Sequence, residues 1–199
     1  MMLKVGITGG IGSGKTTVCK LFEKLDIPVY YADDRAKKLL AEDQKVINQV
    51  KKLLGESIYK NGQPDRKKIA EIVFNDNEKL NQLNKIIHPA VAIDQEKWQQ
   101  DQEKNNVPYT LKEAALLFET GSYKQLDKII VVDAPEALRI ERVIKRDKVS
   151  EKEVKARMNK QWDAALKVQK ADFVIDNSEK AELIPQVRAI QQKLIKLAQ

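Results

Sequence analysis

The sequence predicts an α/β fold, a parallel sheet flanked by helices and organised around one anion-binding loop. Three adjoining stretches predict it. Residues 3–8, Leu-Lys-Val-Gly-Ile-Thr, read as a short, partly buried strand. They run into Gly9-Gly10-Ile11-Gly12-Ser13-Gly14-Lys15-Thr16, with the Gly-x4-Gly-Lys-Ser/Thr spacing of a phosphate loop. Immediately beyond, Val18, Leu21, Phe22 and Leu25 recur at helical spacing. Glycines let the backbone curl with its N–H groups pointing inward, and the following helix adds the positive end of its dipole. Both suit the β-phosphate of a nucleotide. Lys15 can reach the β- and γ-phosphates, and the Thr16 hydroxyl can ligate the accompanying Mg²⁺. The order strand, loop, helix separates this from a glycine-rich turn that happens to carry a lysine. Nucleotide binding is the expectation.

Composition sets the frame. A chain of 199 residues is long enough to bury a sizeable core as one large domain, or one domain with insertions. With 42% hydrophobic and 33% charged residues it reads as an ordinary globular protein. No apolar run reaches the length of a membrane span, and the chain opens on a strand rather than a signal peptide. The single cysteine, Cys19, excludes an internal disulfide, which fits a reducing cytoplasm. Cys19 falls inside the first helix as a packing residue. A net charge of +7 and a pI near 9.3 favour anionic partners, nucleic acid or a multiply phosphorylated small molecule. No zinc-ligand cluster, aromatic RNA-binding motif or polybasic arm is present, so charge alone does not choose.

Residues 27–32 read as the second strand, ending at Asp33 and Asp34. A carboxylate just past the C-terminal end of a strand lies on the ligand-binding edge of a doubly wound sheet. At least one of the two also suits the cap of the next helix. From Arg35 to about Lys104 the pattern is helical and charged. Leu39, Leu40, Val46, Ile47, Val50, Leu53 and Leu54 predict two helices closed near Gly55. Asn61-Gly62-Gln63-Pro64 predicts a turn. Ile69, Ile72, Val73 and Phe74, then Leu80, Leu83, Ile86 and Ile87, continue as helix up to His88-Pro89. A further helix carries Val91, Ile93 and Trp98. About seventy residues without a convincing strand read as a helical insertion, the usual place for substrate binding. Arg66, just after the turn, is a candidate phosphate ligand because guanidinium makes forked, always-charged contacts. His88, the only histidine, suits a helix terminus or a core hydrogen bond as well as a ligand contact.

The third strand is predicted over residues 107–113. Glu113, at its C-terminal end, is placed to hold Mg²⁺ directly or through water. Residues 114–119 read as largely apolar packing, with Glu119 either functional or solvated and Gly121 as the stop. Lys128-Ile129-Ile130-Val131-Val132-Asp133 is the clearest buried strand, rich in β-branched residues. Pro135 opens the next helix, where its missing N–H costs nothing. Arg139, Arg142 and Arg146 share one face of that helix. They form either a solvated stripe or a mobile lid that closes cations on a transferring phosphoryl group. Ser150, with Glu153 in the capping-box position, begins a second helix expected to run to Lys170. Residues 171–177 give a fifth strand and a turn, and Leu183, Ile184, Val187, Ile190, Leu194, Ile195 and Leu197 predict a closing helix.

The assembled motifs resemble the dephospho-CoA kinase family. The phosphate loop with Ile7-Thr8 before it, Ala32-Asp33, and Arg66 followed by Val73-Phe74 carry the first part of the likeness. Leu83-Asn84 with His88-Pro89, and Leu116-Leu117-Phe118-Glu119, carry the next. Arg142, Arg146-Asp147, Gln161, Ala171-Asp172 and Asn177 then follow in the family's order and spacing. The likeness runs from the first strand to about Asn177. It implies a phosphate-loop (P-loop) kinase fold with a five-stranded parallel sheet. The core would span about residues 1–33, 107–135 and 171–199, the insertion about 34–106 and the lid about 136–170. It implies transfer of the γ-phosphoryl group of ATP, with Mg²⁺, to the ribose 3′-hydroxyl of dephospho-CoA, the last step of coenzyme A synthesis. The implied ATP-binding residues are Gly10, Ile11, Gly12, Ser13, Gly14, Lys15, Thr16, Thr17, Arg142 and Asn177. Asp33, Lys15, Arg142 and Arg146 take the catalytic roles. Asp33, Arg66, His88, Leu117 and Glu119 face the acceptor, and Thr16 and Glu113 the metal. The expected protein is cytoplasmic and monomeric, with weak self-association as the alternative, and binds neither membrane nor nucleic acid.

Three positions depart from the family's usual pattern. Tyr31-Ala32-Asp33 stands where Asp-Ala-Asp is common, Glu113-Ala114-Ala115 where Asp-x-Pro is, and Arg139 where glutamine is frequent. The competing readings are another small-molecule or nucleoside monophosphate kinase, a regulatory GTPase, and a nucleic-acid-binding protein. A GTPase would need Asn-Lys-x-Asp, whereas Asn159-Lys160-Gln161 is followed by Trp162. A nucleic-acid binder would show steeply salt-dependent affinity, because phosphate contacts release counterions.

Overall fold

The computed structural model describes residues 2–178 and 181–199. Strand β1 (Leu3–Thr8) delivers the chain to the glycine loop, and helix α1 (Lys15–Glu23) leaves it. Strand β2 (Val29–Tyr31) is followed by α2 (Ala32–Glu42), α3 (Gln44–Leu54), a hairpin of β3 (Tyr59–Lys60) and β4 (Gln63–Pro64), α4 (Arg66–Phe74) and α5 (Asn77–Lys104). Then come β5 (Tyr109–Glu113), β6 (Lys128–Asp133), α6 (Glu136–Asp147), α7 (Glu151–Met158), α8 (Ala164–Gln169), β7 (Phe173–Asp176) and α9 (Leu183–Ala198).

Five strands form one parallel sheet in the order β2-β5-β1-β6-β7. The chain leaves β1 toward β5 and β2 on one side and returns to β6 and β7 on the other. That reversal puts the loop after β1 at the switch point, where open α/β sheets bind ligands. One face of the sheet packs on α1 and α9, with Val5, Ile7, Ile130, Val132 and Ile175 against Val18, Phe22, Val187 and Leu194. Most of these side chains are fully buried, and each contributes roughly 1.5–3 kcal/mol of transfer free energy. The other face carries Leu117, Phe118, Ile129 and Val131, with Val168 of α8 against them. Cys19 lies in the first core as expected, and burial pushes its thiol pKa up, away from reactivity.

The chain divides into two compact units, one of residues 1–31 and 102–199 and one of residues 32–101. The second has its own core of Leu40, Val46, Val50, Ile58, Ile69, Val73 and Leu83. Its helices begin as the sequence dictates. Asp43 caps α3 by accepting from the N–H groups of Lys45 and Val46, and Asp65 caps α4 by accepting from Lys68. The Tyr59 hydroxyl donates to the Leu40 carbonyl at 2.7 Å, tying the hairpin to α2.

Several elements differ from expectation. The insertion is not strand-free, since Asn61 and Gly62, both at positive φ, turn β3 onto β4. Helix α5 continues through His88-Pro89 instead of stopping there. A proline removes one hydrogen bond, and the turns on either side hold the remainder of a 28-residue helix. Residues 114–121 form turns and a stretch without helix. The helix expected from Ser150 to Lys170 breaks into α7 and α8, with Asp163 capping the second. The Ser150–Glu153 capping box is present. Strands β2 and β5 begin later than predicted because Pro28 and Pro108 have no N–H for the ladder. Their carbonyls still accept from Leu111 and Leu3. Among the described residues no helix is long and apolar enough to cross a membrane.

Candidate active site

The loop after β1 is shaped by glycines at left-handed torsions. Gly12 has φ 80° and Gly14 φ 89°, and a methyl group at either position would strike a neighbour. At Gly12 that neighbour is the Arg139 carbonyl; at Gly14 it is the side-chain amide of Asn177. Gly14 also stands at the N-cap of α1, where no side chain caps the helix and no carboxylate enters the first turn. The first N–H groups of α1 and its positive dipole end are therefore offered to an anion. Thr16 and Thr17 lie exposed in that turn. The Lys15 ammonium folds back over the loop, donating to the Gly9 carbonyl at 3.0 Å and approaching that of Gly10 at 3.4 Å. The Ser13 hydroxyl is buried with no hydrogen-bond partner among the described residues.

Cations surround the loop. Arg139, buried on α6, lays its guanidinium where a side chain on Gly10 would be, and its Nε has no partner among the described residues. Arg142, one turn on, donates from Nη2 to the Asn177 carbonyl at 3.1 Å, while its buried Nη1 is unpartnered among the described residues. Unpaired guanidinium N–H groups in a buried setting are costly, and an anionic ligand is the partner that would satisfy them. Arg146 differs. It is exposed and chelates its own neighbour Asp147 at 2.7 and 3.1 Å, and Arg157 binds the same carboxylate at 2.9 Å. The three arginines of the predicted stripe thus divide. Two attend the loop and one is engaged elsewhere. Arg139 belongs to the predicted arginine stripe but not to the ATP-binding or catalytic residues that the resemblance implies.

Asn177 lies against the phosphate loop, beside Gly14. Its side-chain amide donates to the Ser13 carbonyl at 2.7 Å, so the end of β7 braces the loop from beneath. The family departures also find a structural setting. Glu113, buried at the end of β5, stands in register with Ile7 on one side and Tyr31 on the other. Burial, helped by Cys19, Glu23 and Glu113, pushes the Tyr31 phenol up and keeps it a donor; Glu23 accepts its hydrogen bond. For a metal, the described residues contain no cluster of three or more His, Cys, Asp or Glu side chains able to hold one. The Thr16 hydroxyl and the Glu113 carboxylate are hard oxygen donors. That set fits Mg²⁺, which takes few protein ligands and the remainder from phosphates and water.

The second unit places its candidates separately. Asp33 and Asp34 lie inside the first turn of α2, not at the cap position before it. Asp33 is exposed, two residues past the end of β2, and among the described residues nothing pairs with it; Asp34 pairs with Lys37 at 2.6 Å. Arg66 opens α4, exposed and without a carboxylate partner among the described residues. His88 is exposed on α5, mid-helix and not at a terminus.

Two residues expected to face the acceptor pack or pair within the protein. Leu117 is fully buried, filling the space beside Gly6 where a side chain would otherwise sit. Glu119 is largely buried rather than solvated: its Oε1 accepts from the Trp162 amide at 2.7 Å and pairs with Lys167 at 2.8 Å, while its Oε2 has no hydrogen-bond partner among the described residues.

Residues 3–182 match the family model described as dephospho-CoA kinase. The chain belongs to that family. Curated relatives named dephospho-CoA kinase include one from Chlorobaculum tepidum, 41% identical over 97% of this chain and 95% of its own length. Another, from Chlorobium chlorochromatii, is 37% identical over 98% of this chain and 95% of its own. The solved structure of the dephospho-CoA kinase from Campylobacter jejuni superposes with a TM-score of 0.75 at 30% identity, covering both chains fully. TT1252 from Thermus thermophilus superposes with a TM-score of 0.84 at 32% identity, over 97% of this chain and 98% of that one. A shikimate kinase from Bacteroides thetaiotaomicron, 13% identical with a TM-score of 0.50 over 98% and 99% of the two chains, shares the fold.

Proposed function

We propose that this protein transfers the γ-phosphoryl group of ATP to the ribose 3′-hydroxyl of dephospho-CoA, giving coenzyme A and ADP. The observation that carries this reading is the unsatisfied cradle. The uncapped start of α1, the buried Ser13 hydroxyl and the unpartnered nitrogens of Arg139 and Arg142 converge on one glycine loop in a chain of this family. The loop amides and Lys15 hold the β- and γ-phosphates, and Arg142 and Arg139 neutralise charge that builds on the transferring group. Thr16 and Glu113 would hold Mg²⁺, which would supply positive charge against the phosphates. The acceptor 3′-oxygen attacks γ-phosphorus in line, and the bond to the β-phosphate oxygen breaks as ADP leaves. Asp33 orients the attacking hydroxyl and takes its proton late, since a loose transition state demands little nucleophile activation.

Arg66 and His88 of the insertion are assigned to the acceptor's own phosphates. Helices α6 to α8 act as the lid, whose closure excludes water and suppresses hydrolysis. Arg146, on that lid, is assigned to the transferring group, its Nη1 lying outside the pairing with Asp147. The +7 net charge and the single buried cysteine suit a cytoplasmic monomer that handles two polyanions. The test is a purified-protein assay with ATP and Mg²⁺ against dephospho-CoA, adenosine, nucleoside monophosphates and pantothenate derivatives. Phosphorylation of dephospho-CoA well above all others is expected. A preference for a nucleoside monophosphate would overturn the assignment.

A further inference from the structure

The break between α7 and α8 directs its polar groups to two other parts of the same unit. The Ile11 N–H of the phosphate loop donates to Gln161 Oε1 at 2.8 Å, across 150 residues of sequence. The next N–H along, from Trp162, goes to Glu119 Oε1 at 2.7 Å, and Lys167 reaches the same oxygen at 2.8 Å. The Trp162 ring stacks on Phe118 with centroids 5.7 Å apart and planes 12° from parallel. Lys167 is completely buried, so this ion pair is not a screened surface contact. Losing either partner would leave a charge in the core. Burial by itself would raise the Glu119 pKa; the bonds from Lys167 and the Trp162 amide outweigh it and hold the carboxyl below its ordinary value.

We infer that Glu119 and Gln161 form a clasp on the phosphate loop, with Glu119 a positioning residue that seats residues 161–167 so that Gln161 holds the Ile11 amide. The physical reason is preorganisation. Loop amides stabilise a transferring phosphoryl group only if they are already aimed, because turning them during the reaction forfeits the gain. A curl of glycines has little intrinsic preference for one shape, and an acceptor fixed on its third residue supplies it. Glu119 never needs to touch a substrate. The kinetic consequence rests on the phosphoryl-transfer reading above; the structural half does not.

The test compares the whole protein with Gln161→Ala, Glu119→Gln and the double variant by three readouts. These are amide hydrogen exchange of residues 9–16, binding of a fluorescent ADP analogue, and steady-state kinetics with ATP and dephospho-CoA. Gln161 is partly exposed, so its truncation does not endanger folding. Gln161→Ala is expected to speed exchange at Ile11 and to lower kcat/KM for ATP, each about tenfold, with the KM for dephospho-CoA unchanged. Glu119→Gln keeps an acceptor for Trp162 but loses the charge opposite Lys167, so it moves the same readouts in the same direction by less. The double variant should match Gln161→Ala in loop exchange, because both residues act through one contact. Unchanged Ile11 exchange in Gln161→Ala, or fully additive effects in the double variant, would overturn the clasp. A wild-type protein that fails to phosphorylate dephospho-CoA would end the functional reading instead, and loop exchange and ADP binding would still decide the clasp.

Discussion

The side-chain amide of Asn177 donates to the backbone carbonyl of Ser13 at 2.7 Å, joining the end of the last strand to the floor of the phosphate loop. Arg142 adds a bond to the Asn177 carbonyl, so loop, strand end and α6 share one small network. Asn177→Ala should cost about 1–3 kcal/mol, because a buried carbonyl loses its donor. Chemical denaturation would read the stability loss, and nucleotide titration a parallel loss of ATP affinity. Asn177→Asp should be worse, since it sets a carboxylate against that carbonyl and beside the phosphates.

The Lys15 ammonium folds over the loop. Lys15→Ala should lower kcat/KM for ATP by about ten- to hundredfold, divided between a higher KM and a lower kcat, as expected for a lost charged contact of about 1.5–3 kcal/mol. Initial rates over a range of ATP concentrations check both parameters. A change confined to the KM for ATP would mean that Lys15 binds the ground state and transition state equally.

Asp33 offers a different signature. Asp33→Asn keeps size and helix position but removes the proton acceptor. Turnover should drop by about a hundredfold or more, with ADP-analogue binding nearly unchanged. Wild-type turnover in this variant would remove Asp33 from the mechanism.

The Glu119 carboxyl titrates below its ordinary value in the folded protein. In the interval between its folded and unfolded pKa the unfolded chain binds more protons, so stability rises with pH there. The contribution is complete above the unfolded value of about 4.3 and is lost as pH falls through the lower folded one. Melting temperature should therefore fall on acidification below that value. Glu119→Gln, less stable at neutral pH, should show a shallower acid limb; an equally steep one would place the acid sensitivity elsewhere.

Local chemistry explains what could be read in advance. Residues 3–16 announced strand, loop and helix start because glycine spacing, a lysine and a β-branched run each have a short-range meaning. Residues 128–133 did so for the same reason, and Ser150 with Glu153 carried the whole capping box within four residues. Where the reading failed, the cause was a compensation invisible at short range. Pro89 predicts a terminus, although flanking helical turns carry α5 through it. The run from Ser150 to Lys170 kept helical spacing, yet residues 159–163 leave the helix to reach Ile11 and Glu119. Asn61-Gly62 was legible as a turn, while the two-residue strands around it were too short to show a period.

By itself the sequence determined the parallel sheet, the phosphate loop and the set of residues that mark the family, since these follow from the torsional freedom of glycine, the side-chain period of helices and strands, and motif order. Only the tertiary structure decided which polar groups are spent on each other: Arg146 on Asp147, Glu119 on Lys167, Asn177 on Ser13, with Arg139 and Arg142 left turned to the loop. The physical reason is that a charge or amide takes its role from the partner that burial brings within 3 Å. Those partners lie tens to more than a hundred residues away along the chain, Arg146 and its adjacent Asp147 excepted.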